Sequence, residues 1–416
     1  MMNRTQPPTS RPVRGDAVGL PTSTRLPHRR SGRFASLLAA AAAIAVVCPA
    51  VVSPAAADDW PTFRNGPLQQ GVAAEALGAS LELAWSKPTA DGVTATAAIV
   101  DGQVYVGTLG GQVWCLDLAT GDEVWTYETE LPDDSFRPGF NAAATVAFGA
   151  VFLGDEEGVL HAIDRKTGQA RWTYATDGEI DAAATPVTLD AGDSILVGSH
   201  DGRLYCLDAA SGDVRWTYEV GDRISCSTAI DGDRTFLAGC DGELHVVNIQ
   251  TGESVGQIPL GSPTLAAPSL RDGTLYVATQ GGTVLAIDPQ SPDPDATQKW
   301  LREFGGDIRS STAVTDDIVL VGNRDKTLRA LSRADGATRW EKRVRSRIDS
   351  SPVIAGELAF FGASDRTVYG VRLSDGEEVW SHKTSRGVVA SPAIADGYLV
   401  IGVEGPKGAL LGFRAK

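Results

Sequence analysis

One ten-residue phrase recurs along this chain of 416 residues, and the recurrence restricts the fold more than any other feature. Leu116–Trp125 reads Leu-Asp-Leu-Ala-Thr-Gly-Asp-Glu-Val-Trp, and close copies occupy Ile163–Trp172 and Leu207–Trp216. The remaining copies end at Gly256, Trp300, Trp340 and Trp380, the first of these with glycine in place of tryptophan. Counted from Trp85, these closing positions are 40, 47, 44, 40, 44, 40 and 40 residues apart. The chain is therefore predicted to be an array of similar structural units.

Each repeat reads as four short strands, which we name A to D. The repeat that closes at Trp380 is predicted to contain strand A at Ile348–Ala355, B at Leu358–Ala363, C at Val368–Leu373 and D from Glu377. Turn residues separate the strands, and the turn between C and D carries Asp-x-x-Thr-Gly in the first two repeats and related sequences in the others. The aspartate can accept backbone N–H bonds across this turn, and the glycine can adopt a positive φ. A unit of about 40 residues with four strands is typical of a propeller blade.

Eight copies of strand A can be counted. They begin at Val93, Phe140, Ile180, Ile224, Thr264, Ile308, Ile348 and Val388. The last repeat stops at Lys416 without a strand D, whereas Leu81–Trp85 matches a strand D and precedes every strand A. Closure of the ring by this N-terminal strand would remove two unpaired sheet edges. The sequence thus predicts an all-β, eight-bladed propeller of four-stranded antiparallel blades.

The recurring turn and tryptophan resemble the pyrroloquinoline-quinone (PQQ)-like repeat family with its tryptophan-docking motif, over roughly residues 81–414. Asp59–Arg64 is similar to the lead-in of stand-alone bacterial propellers of this type. The resemblance implies a strap over residues 58–80 and the propeller over 81–416. The family that this chain resembles includes quinoprotein dehydrogenases, which carry a vicinal disulfide and bind Ca²⁺. It also includes the propeller lipoprotein of the outer-membrane assembly machinery. This chain has no adjacent cysteine pair, so the resemblance favours a stand-alone propeller without PQQ or another cofactor.

The N-terminus is predicted to be an export signal. Residues 1–33 hold seven arginines and one acid, the apolar run Phe34–Val47 follows, and Ala55-Ala56-Ala57 provides a cleavage site. The mature chain would begin near Asp58 and be periplasmic or extracellular, with an uncleaved anchor as the alternative. Cys48 follows two valines where a lipoprotein signal needs small residues, which disfavours lipid anchoring.

The charge of the mature chain restricts its partners. Removal of residues 1–57 takes seven arginines and one aspartate from 37 basic and 52 acidic residues, which leaves a net charge of −21. Such a surface repels phosphate backbones, so no nucleic-acid partner is expected. The body of the chain has no apolar run of the roughly 18 residues that a membrane span needs, so we expect no span after signal cleavage.

No catalytic or metal site is predicted. His161 and His245 hold the second position of strand C, where other repeats have Trp, Tyr, Leu or Arg, which indicates a packing column. No histidine has a serine, cysteine or carboxylate partner by motif, so a hydrolase is not supported. The acidic turn Asp155–Gly158 could hold a cation. Its equivalents, such as Arg324–Lys326, favour an ordinary turn instead.

Four cysteines fall within the predicted propeller. Cys115 and Cys206 occupy a small position in strand C of blades that are not neighbours, so we expect buried free thiols. Cys226 and Cys240 lie on strands A and B of one blade, within about one residue of direct opposition. They could form a disulfide or remain free.

The repeat register predicts a ligand site. Strand A is innermost in a propeller, so its second residues should ring one mouth of the central channel. This ring comprises Thr94, Asn141, Asp181, Ser225, Leu265, Arg309, Asp349 and Val389. The D–A connections add Glu179, Arg223, Asp307, Arg347 and Arg386, and the longest of them adds Asp133, Asp134 and Arg137. Varied polar groups around a concavity can orient a ligand, although a water-filled funnel is the alternative.

From these features we predict an exported, non-enzymatic scaffold that binds a protein, peptide or small ligand on one propeller face. The residues expected to contribute are Asn141, Asp181, Ser225, Arg309, Asp349, Arg223, Arg347 and Arg137. A quinoprotein-like oxidoreductase and an outer-membrane assembly factor are the alternatives.

Overall fold

The fold is an eight-bladed β-propeller, as the repeat predicts. A computed structural model describes residues 59–129, 137–290 and 297–416. These residues form eight four-stranded antiparallel sheets, and each sheet pairs its strands in the spatial order A-B-C-D. None of the described residues forms a helix long and apolar enough to cross a membrane. The expected export signal, residues 1–57, lies outside the described residues.

The strand bounds follow the repeat. Strands A of blades 1 to 8 are Ala98–Val100, Thr145–Ala147, Thr185–Leu189, Ala229–Asp231, Ser269–Arg271, Ala313–Val314, Val353–Ala355 and Ala393–Ala395. Strands B are Gln103–Gly107, Ala150–Gly154, Gly192–Gly198, Arg234–Ala238, Thr274–Ala278, Ile318–Asn323, Leu358–Ala363 and Tyr398–Gly402. Strands C are Gln112–Asp117, Val159–Asp164, Arg203–Asp208, Glu243–Asn248, Thr283–Ile287, Thr327–Ser332, Thr367–Arg372 and Ala409–Ala415. Strands D of blades 1 to 7 are Glu123–Glu128, Ala170–Ala175, Val214–Glu219, Ser254–Pro259, Gln298–Glu303, Thr338–Arg343 and Glu378–Lys383.

The N-terminal strand closes the ring. Leu81–Pro88 pairs antiparallel with strand C of blade 8, from Leu81 opposite Ala415 to Pro88 opposite Ala409. Trp380 of blade 7 then donates its indole N–H to the carbonyl of Leu81 at 3.1 Å. The eighth blade is thus assembled from both ends of the propeller sequence, which leaves no unpaired strand C edge.

Tryptophans near the start of strand D fasten neighbouring blades. Trp172 donates its indole N–H to the carbonyl of Ala209 in the next blade at 3.1 Å, and its ring packs on Gly212 in the same C–D turn. Gly212 has φ +79°, and a Cβ there would lie 2.7 Å from the indole. The equivalent indole bond occurs at seven of the eight blade seams, through Trp85, Trp125, Trp172, Trp216, Trp300, Trp340 and Trp380. The seam between blades 4 and 5 has Gly256 at this position.

Strand A is shorter than the sequence predicts. In blade 7 only Val353–Ala355 pairs with strand B, and the expected first part of the strand bends at Ser350. The hydroxyl of Ser350 accepts the backbone N–H of Gly362 in strand B at 3.0 Å. A side chain thus satisfies a donor that a longer ladder would have paired. The bent segments hold the ring residues at the channel mouth.

Residues 59–80 form a strap along the opposite end of the channel. Strap carbonyls accept the backbone N–H of one strand A residue in each of six blades, over N···O distances of 2.8–2.9 Å. These donors are Ile99, Val146, Ile230, Leu270, Val314 and Ile354. Blade 3 has Pro186 at the equivalent position, and proline has no N–H to satisfy. The strap therefore pairs with donors on the channel-facing edge of strand A, which no other strand of the blade covers.

Arg64 anchors the middle of the strap. Its side chain is fully buried and donates from Nη2 to the carbonyl of Thr312 in blade 6 at 2.7 Å. Burial lowers the pKa of this guanidinium to about 9. Gly71 has φ +64°, and a Cβ there would lie only 1.9 Å from Nη2. The strap thus needs glycine at this position to enclose the arginine.

Candidate functional site

The eight ring residues line one cavity at the channel mouth. The cavity has a volume of about 330 Å³. Its wall includes all eight second residues of the strand A segments: Thr94, Asn141, Asp181, Ser225, Leu265, Arg309, Asp349 and Val389. The repeat register places them together because each segment enters the channel from a D–A connection at the same height.

A second tier lies two residues further along the same segments. It consists of Thr96, Ala143, Ala183, Ser227, Ala267, Ser311, Ser351 and Ser391. Serines join the inner segments of blades 5 to 8, because Ser311, Ser351 and Ser391 each accept a backbone N–H from the preceding blade at 2.9–3.0 Å. The strap adds Phe63 to the wall. This tier was not predicted from the sequence, although the alternation of side chains along an extended segment indicates it.

One side of the mouth is acidic and holds His200. Nε2 of His200 lies 2.9 Å from Oγ of Ser225 and 3.4 Å from Asp181, while Nδ1 lies 3.4 Å from Glu179. Hydrogen bonding to Asp181 raises the pKa of His200. Burial, followed by repulsion from Asp181, raises the pKa of Glu179. A protonated His200 between the two carboxylates relieves this repulsion. No motif in the sequence marks this role of His200, because its partners Glu179, Asp181 and Ser225 come from other connections.

The opposite side of the mouth is a network of arginines and aspartates. Arg324 binds Asp349 through Nε and Nη2 at 2.6 and 3.2 Å, and Arg347 reaches the same carboxylate at 2.9 Å. Arg309 donates to Asp307 at 2.9 Å. The Asp349 side chain is only 13% exposed, against 38% for Arg309. Asp349 is therefore a largely buried anchor shared by two arginines, although it also lines the cavity as the repeat register predicts.

Three of the expected site residues lie outside the cavity wall. Arg137 forms an ion pair with Glu128, Arg347 contacts the mouth through Asp349, and Arg223 is exposed on a D–A connection. Asp133 and Asp134 lie outside the described residues. The five expected residues that do line the cavity are Asn141, Asp181, Ser225, Arg309 and Asp349.

The histidines of strand C serve packing. His161 is buried, with Nε2 2.9 Å from Asp155 and Nδ1 3.0 Å from the Tyr127 hydroxyl. His245 repeats this arrangement with Asp241 and Tyr218. Asp155 also accepts the N–H groups of Glu157 and Val159, so its acidic turn is held by internal bonds.

The four propeller cysteines are free and buried. Cys226 donates its thiol to the carbonyl of Ala238, and Cys240 donates to Thr264, so the two thiols point toward different acceptors. Burial raises the pKa of Cys115, Cys206 and Cys226 to about 12. Such thiols are poor nucleophiles near neutral pH.

The mouth does not fit PQQ. This quinone carries three carboxylates, yet Glu179 and Asp181 already repel each other on one side of the cavity. On the other side, Asp307 and Asp349 occupy the guanidinium groups of Arg309 and Arg324. Glu179, Asp181 and His200 form a group of three metal-binding side chains whose ligand atoms lie within 4.8 Å of one another, and no other such group occurs in the described ranges. Their contacts with one another and with Ser225 form a histidine–carboxylate cluster.

Geometry and topology define the class as an eight-bladed PQQ-like repeat propeller. A family model described as outer membrane protein assembly factor BamB matches residues 76–222, 219–300 and 291–416, so the chain belongs to this family.

Individual relatives are more distant. The BamB of Burkholderia pseudomallei (strain K96243) is 30% identical over 118 residues, which are 28% of this chain and 29% of that protein. A quinohemoprotein alcohol dehydrogenase of Comamonas testosteroni is 32% identical over 130 residues, 25% of this chain and 18% of the enzyme. The chain thus matches less than a third of either relative's length. The crystal structure of BamB from Moraxella catarrhalis superposes with a TM-score of 0.65 at 20% identity, covering 81% of this chain and 98% of that one. At that identity the likeness concerns the fold.

Proposed function

We propose that this chain is an exported, non-enzymatic scaffold that binds a protein, peptide or small ligand at the channel mouth. One observation carries the proposal: eight ring residues of seven different types surround a single cavity whose other end holds the strap. A purely structural ring would favour one residue type in every blade. Unlike donors, acceptors and apolar groups instead allow a ligand to bind in one orientation.

Binding is a better account of the mouth than catalysis. His200, the histidine in this wall region, is held between carboxylates with Ser225 as a further hydrogen-bond partner. Cys226 beside Ser225 is buried, and burial raises the pKa of its thiol, which makes it a poor nucleophile near neutral pH. The groups present can hold charge and hydrogen bonds in place, which suits recognition.

The ligand prediction is tested by comparative capture. Immobilised wild type, Arg309→Ala and Asp349→Ala are exposed to the same envelope extract, and retained proteins and small molecules are quantified by mass spectrometry. We expect one species to be retained by wild type and lost from both variants. Arg339→Ala is the matched control, because Arg339 is exposed at the C–D turn end of blade 6, away from the mouth. Equal retention by all four proteins would place the binding site elsewhere.

Unfolding measurements accompany the capture. Arg309→Ala should change the melting temperature little, because exposed ion pairs contribute about 0–1 kcal/mol. Asp349→Ala removes the carboxylate shared by Arg324 and Arg347 and should destabilise more. Loss of ligand from a folded Arg309→Ala variant is therefore the decisive result.

An outer-membrane assembly role is a second candidate. The family model carries this description over almost the whole propeller. It predicts that the tagged chain co-purifies with a β-barrel assembly complex. Recovery of the chain without any component of such a complex would exclude the assembly role. The general binding role would still stand.

Export is the part of the proposal carried by the sequence alone. The arginine-rich start, apolar run and alanine triplet predict that envelope material begins at or near Asp58. N-terminal sequencing of protein recovered from the envelope measures this directly. An intact Met1 on that material would contradict the prediction.

A further inference from the structure

The mouth face outside the ring is divided into two sectors of opposite charge. The D–A connections and B–C turns of blades 2 to 4 carry the acidic sector, which we define by Glu156, Glu157, Asp177, Glu179, Asp201 and Asp222. Of the arginines in the same loops, Arg137 and Arg203 form ion pairs with acids of this region, and Arg223 is exposed. The sector therefore has a clear excess of negative charge.

The corresponding loops of blades 6 to 8 carry the basic sector, which we define by Lys326, Arg345, Arg347, Arg366, Arg386 and Lys407. All six residues are exposed. The acids of these loops are largely engaged with other partners: Asp325 binds Arg329, and Asp365 accepts the Tyr369 hydroxyl and the Arg345 backbone N–H. Five of the six cations, all except Arg347, have no ion pair within the described part of the chain.

This pattern differs from the opposite face of the propeller. There, half-buried arginines are matched with acids on neighbouring turns, as in Arg271 with Asp316, Arg333 with Asp272, and Arg165 with Asp101. Exposed cations without an ion pair, such as Lys166 and Arg339, occur there in separate blades and do not form a group. In a chain with an excess of acids, a group of unpaired cations at one place is energetically available for an external partner.

The positions of the two sectors restrict that partner. Blades 3 and 7 are four places apart in a ring of eight, so the sectors lie on opposite sides of the mouth. A long polyanion that crossed this face would meet the acidic sector, which disfavours nucleic acid and an anionic membrane surface. Blade 5, on the line between the sectors, has no charged residue in its two mouth loops, Leu260–Pro263 and Thr279–Thr283.

A second copy of the chain carries the complementary charges in the required arrangement. A twofold axis through blades 1 and 5, in the plane of the face, places blades 2, 3 and 4 of one copy over blades 8, 7 and 6 of the other. The acidic sector of each copy then faces the basic sector of the other copy, so the same contact occurs twice. This is the geometry of an isologous dimer. We propose that the mouth face is a self-complementary docking surface through which two copies of this chain associate.

The test uses two triple variants of the full chain. Arg345→Glu/Arg366→Glu/Arg386→Glu makes the basic sector acidic, and Glu157→Lys/Asp177→Lys/Asp222→Lys makes the acidic sector basic. Analytical ultracentrifugation of wild type should show a concentration-dependent dimer, and each triple variant alone should sediment as a monomer. An equimolar mixture of the two variants should restore the dimer, because both contacts become complementary again.

A third variant separates position from net charge. Lys166→Glu/Arg339→Glu/Arg414→Glu changes the net charge as much as the first triple variant, but its side chains lie at C–D turn ends. It should dimerise like wild type. A wild type that stays monomeric at every soluble concentration would overturn the proposal. Binding of poly-glutamate or of anionic vesicles by such a monomer would not rescue it. Dimerisation unaffected by either mouth variant would overturn it as well.

This proposal does not rest on the ligand-binding role of the ring. The exchanged side chains lie outside the cavity wall, so the dimer can fail while Arg309→Ala still abolishes ligand capture. Conversely, if the ring variants capture the same molecules as wild type, the sedimentation experiment still tests the dimer.

Discussion

His200 shows how a single residue acquires its properties from connections that are distant along the chain. Glu179 and Asp181 precede it by about twenty residues, and Ser225 follows it by 25. The B–C turn of blade 3 brings the imidazole to the mouth, where the D–A connections of blades 3 and 4 present these groups. Within this site the pKa values of His200 and Glu179 are both raised. The charge of the mouth is therefore sensitive to pH.

We predict that His200 titrates above its ordinary pKa of 6.5, because the Asp181 carboxylate stabilises the imidazolium. The stabilisation is fully present below the unfolded pKa and is lost as pH rises through the higher folded pKa. The raised pKa of Glu179 has the same sign, since folding favours its protonated form. Two-dimensional NMR of the histidine ring measures the titration.

Asp181→Asn is the variant for this prediction, and it should lower the pKa of His200. His382 is the internal control, because burial lowers its pKa and it has no part in the mouth cluster. A His200 pKa that is unchanged by Asp181→Asn would contradict the assigned cause.

At the scale of the element, the docked indole is the connection between neighbouring blades that recurs most regularly, at seven of the eight seams. Trp172 both donates a hydrogen bond to Ala209 and covers the C–D turn at Gly212. These contacts require the C–D turn, here Asp208–Gly212, to present one carbonyl and one bare glycine to the preceding blade. The same ten residues thus define the turn and the seam, which explains why they recur as a unit.

Trp172→Phe should lower the free energy of unfolding by roughly 1–2 kcal/mol, from the lost hydrogen bond and a smaller buried ring. Trp172→Ala should cost roughly 3 kcal/mol or more, because it also removes the packing on the glycine. Urea denaturation followed by circular dichroism provides the measurement. Thr173→Ala, at the exposed next position of the same strand, should stay within about 0.5 kcal/mol. A loss of equal size in Thr173→Ala would attribute the effect to strand D itself.

The elements that recur in every blade could be predicted from the sequence, whereas features that depend on single contacts could not. The eight blades, the closure by Leu81–Pro88 and the ring at the mouth all follow from a pattern that recurs every 40–47 residues. The short strand A ladders depend on a bend at a small residue such as Ser350, which alternation alone cannot show. The path of the strap depends on six single hydrogen bonds to six blades. The Arg324–Asp349 anchor joins residues of neighbouring blades whose side-chain directions no motif records.

At the scale of the whole molecule, a closed ring is expected to open first at the seam with the fewest stabilising contacts. Seven seams hold a docked indole, whereas the seam between blades 4 and 5 has Gly256 where the tryptophan would stand. A Cβ at Gly256 would meet no atom within 4 Å, so this seam contains open space. The following C–D turn also differs, because it is longer and has Pro289 where other turns place the accepting residue.

We therefore predict that the ring opens first between blades 4 and 5. Hydrogen exchange measured by mass spectrometry should be faster in strand D of blade 4, Ser254–Pro259, than in the equivalent Val214–Glu219 of blade 3, where Trp216 donates to Ile249 at 3.0 Å. Local opening exposes the amides nearest the least packed interface, so the rate reports the stability of that seam. Gly256→Trp should slow exchange at this seam, because the position has open space and glycine there is not held at a positive φ. Gly305→Ala, in the connection after blade 5, is a control that leaves this seam unchanged, because glycine there is not held at a positive φ and a Cβ would meet no atom within 4 Å. Equal protection of the two D strands would contradict the assignment of a weak seam and would indicate that the docked indoles add little to the cohesion of the ring.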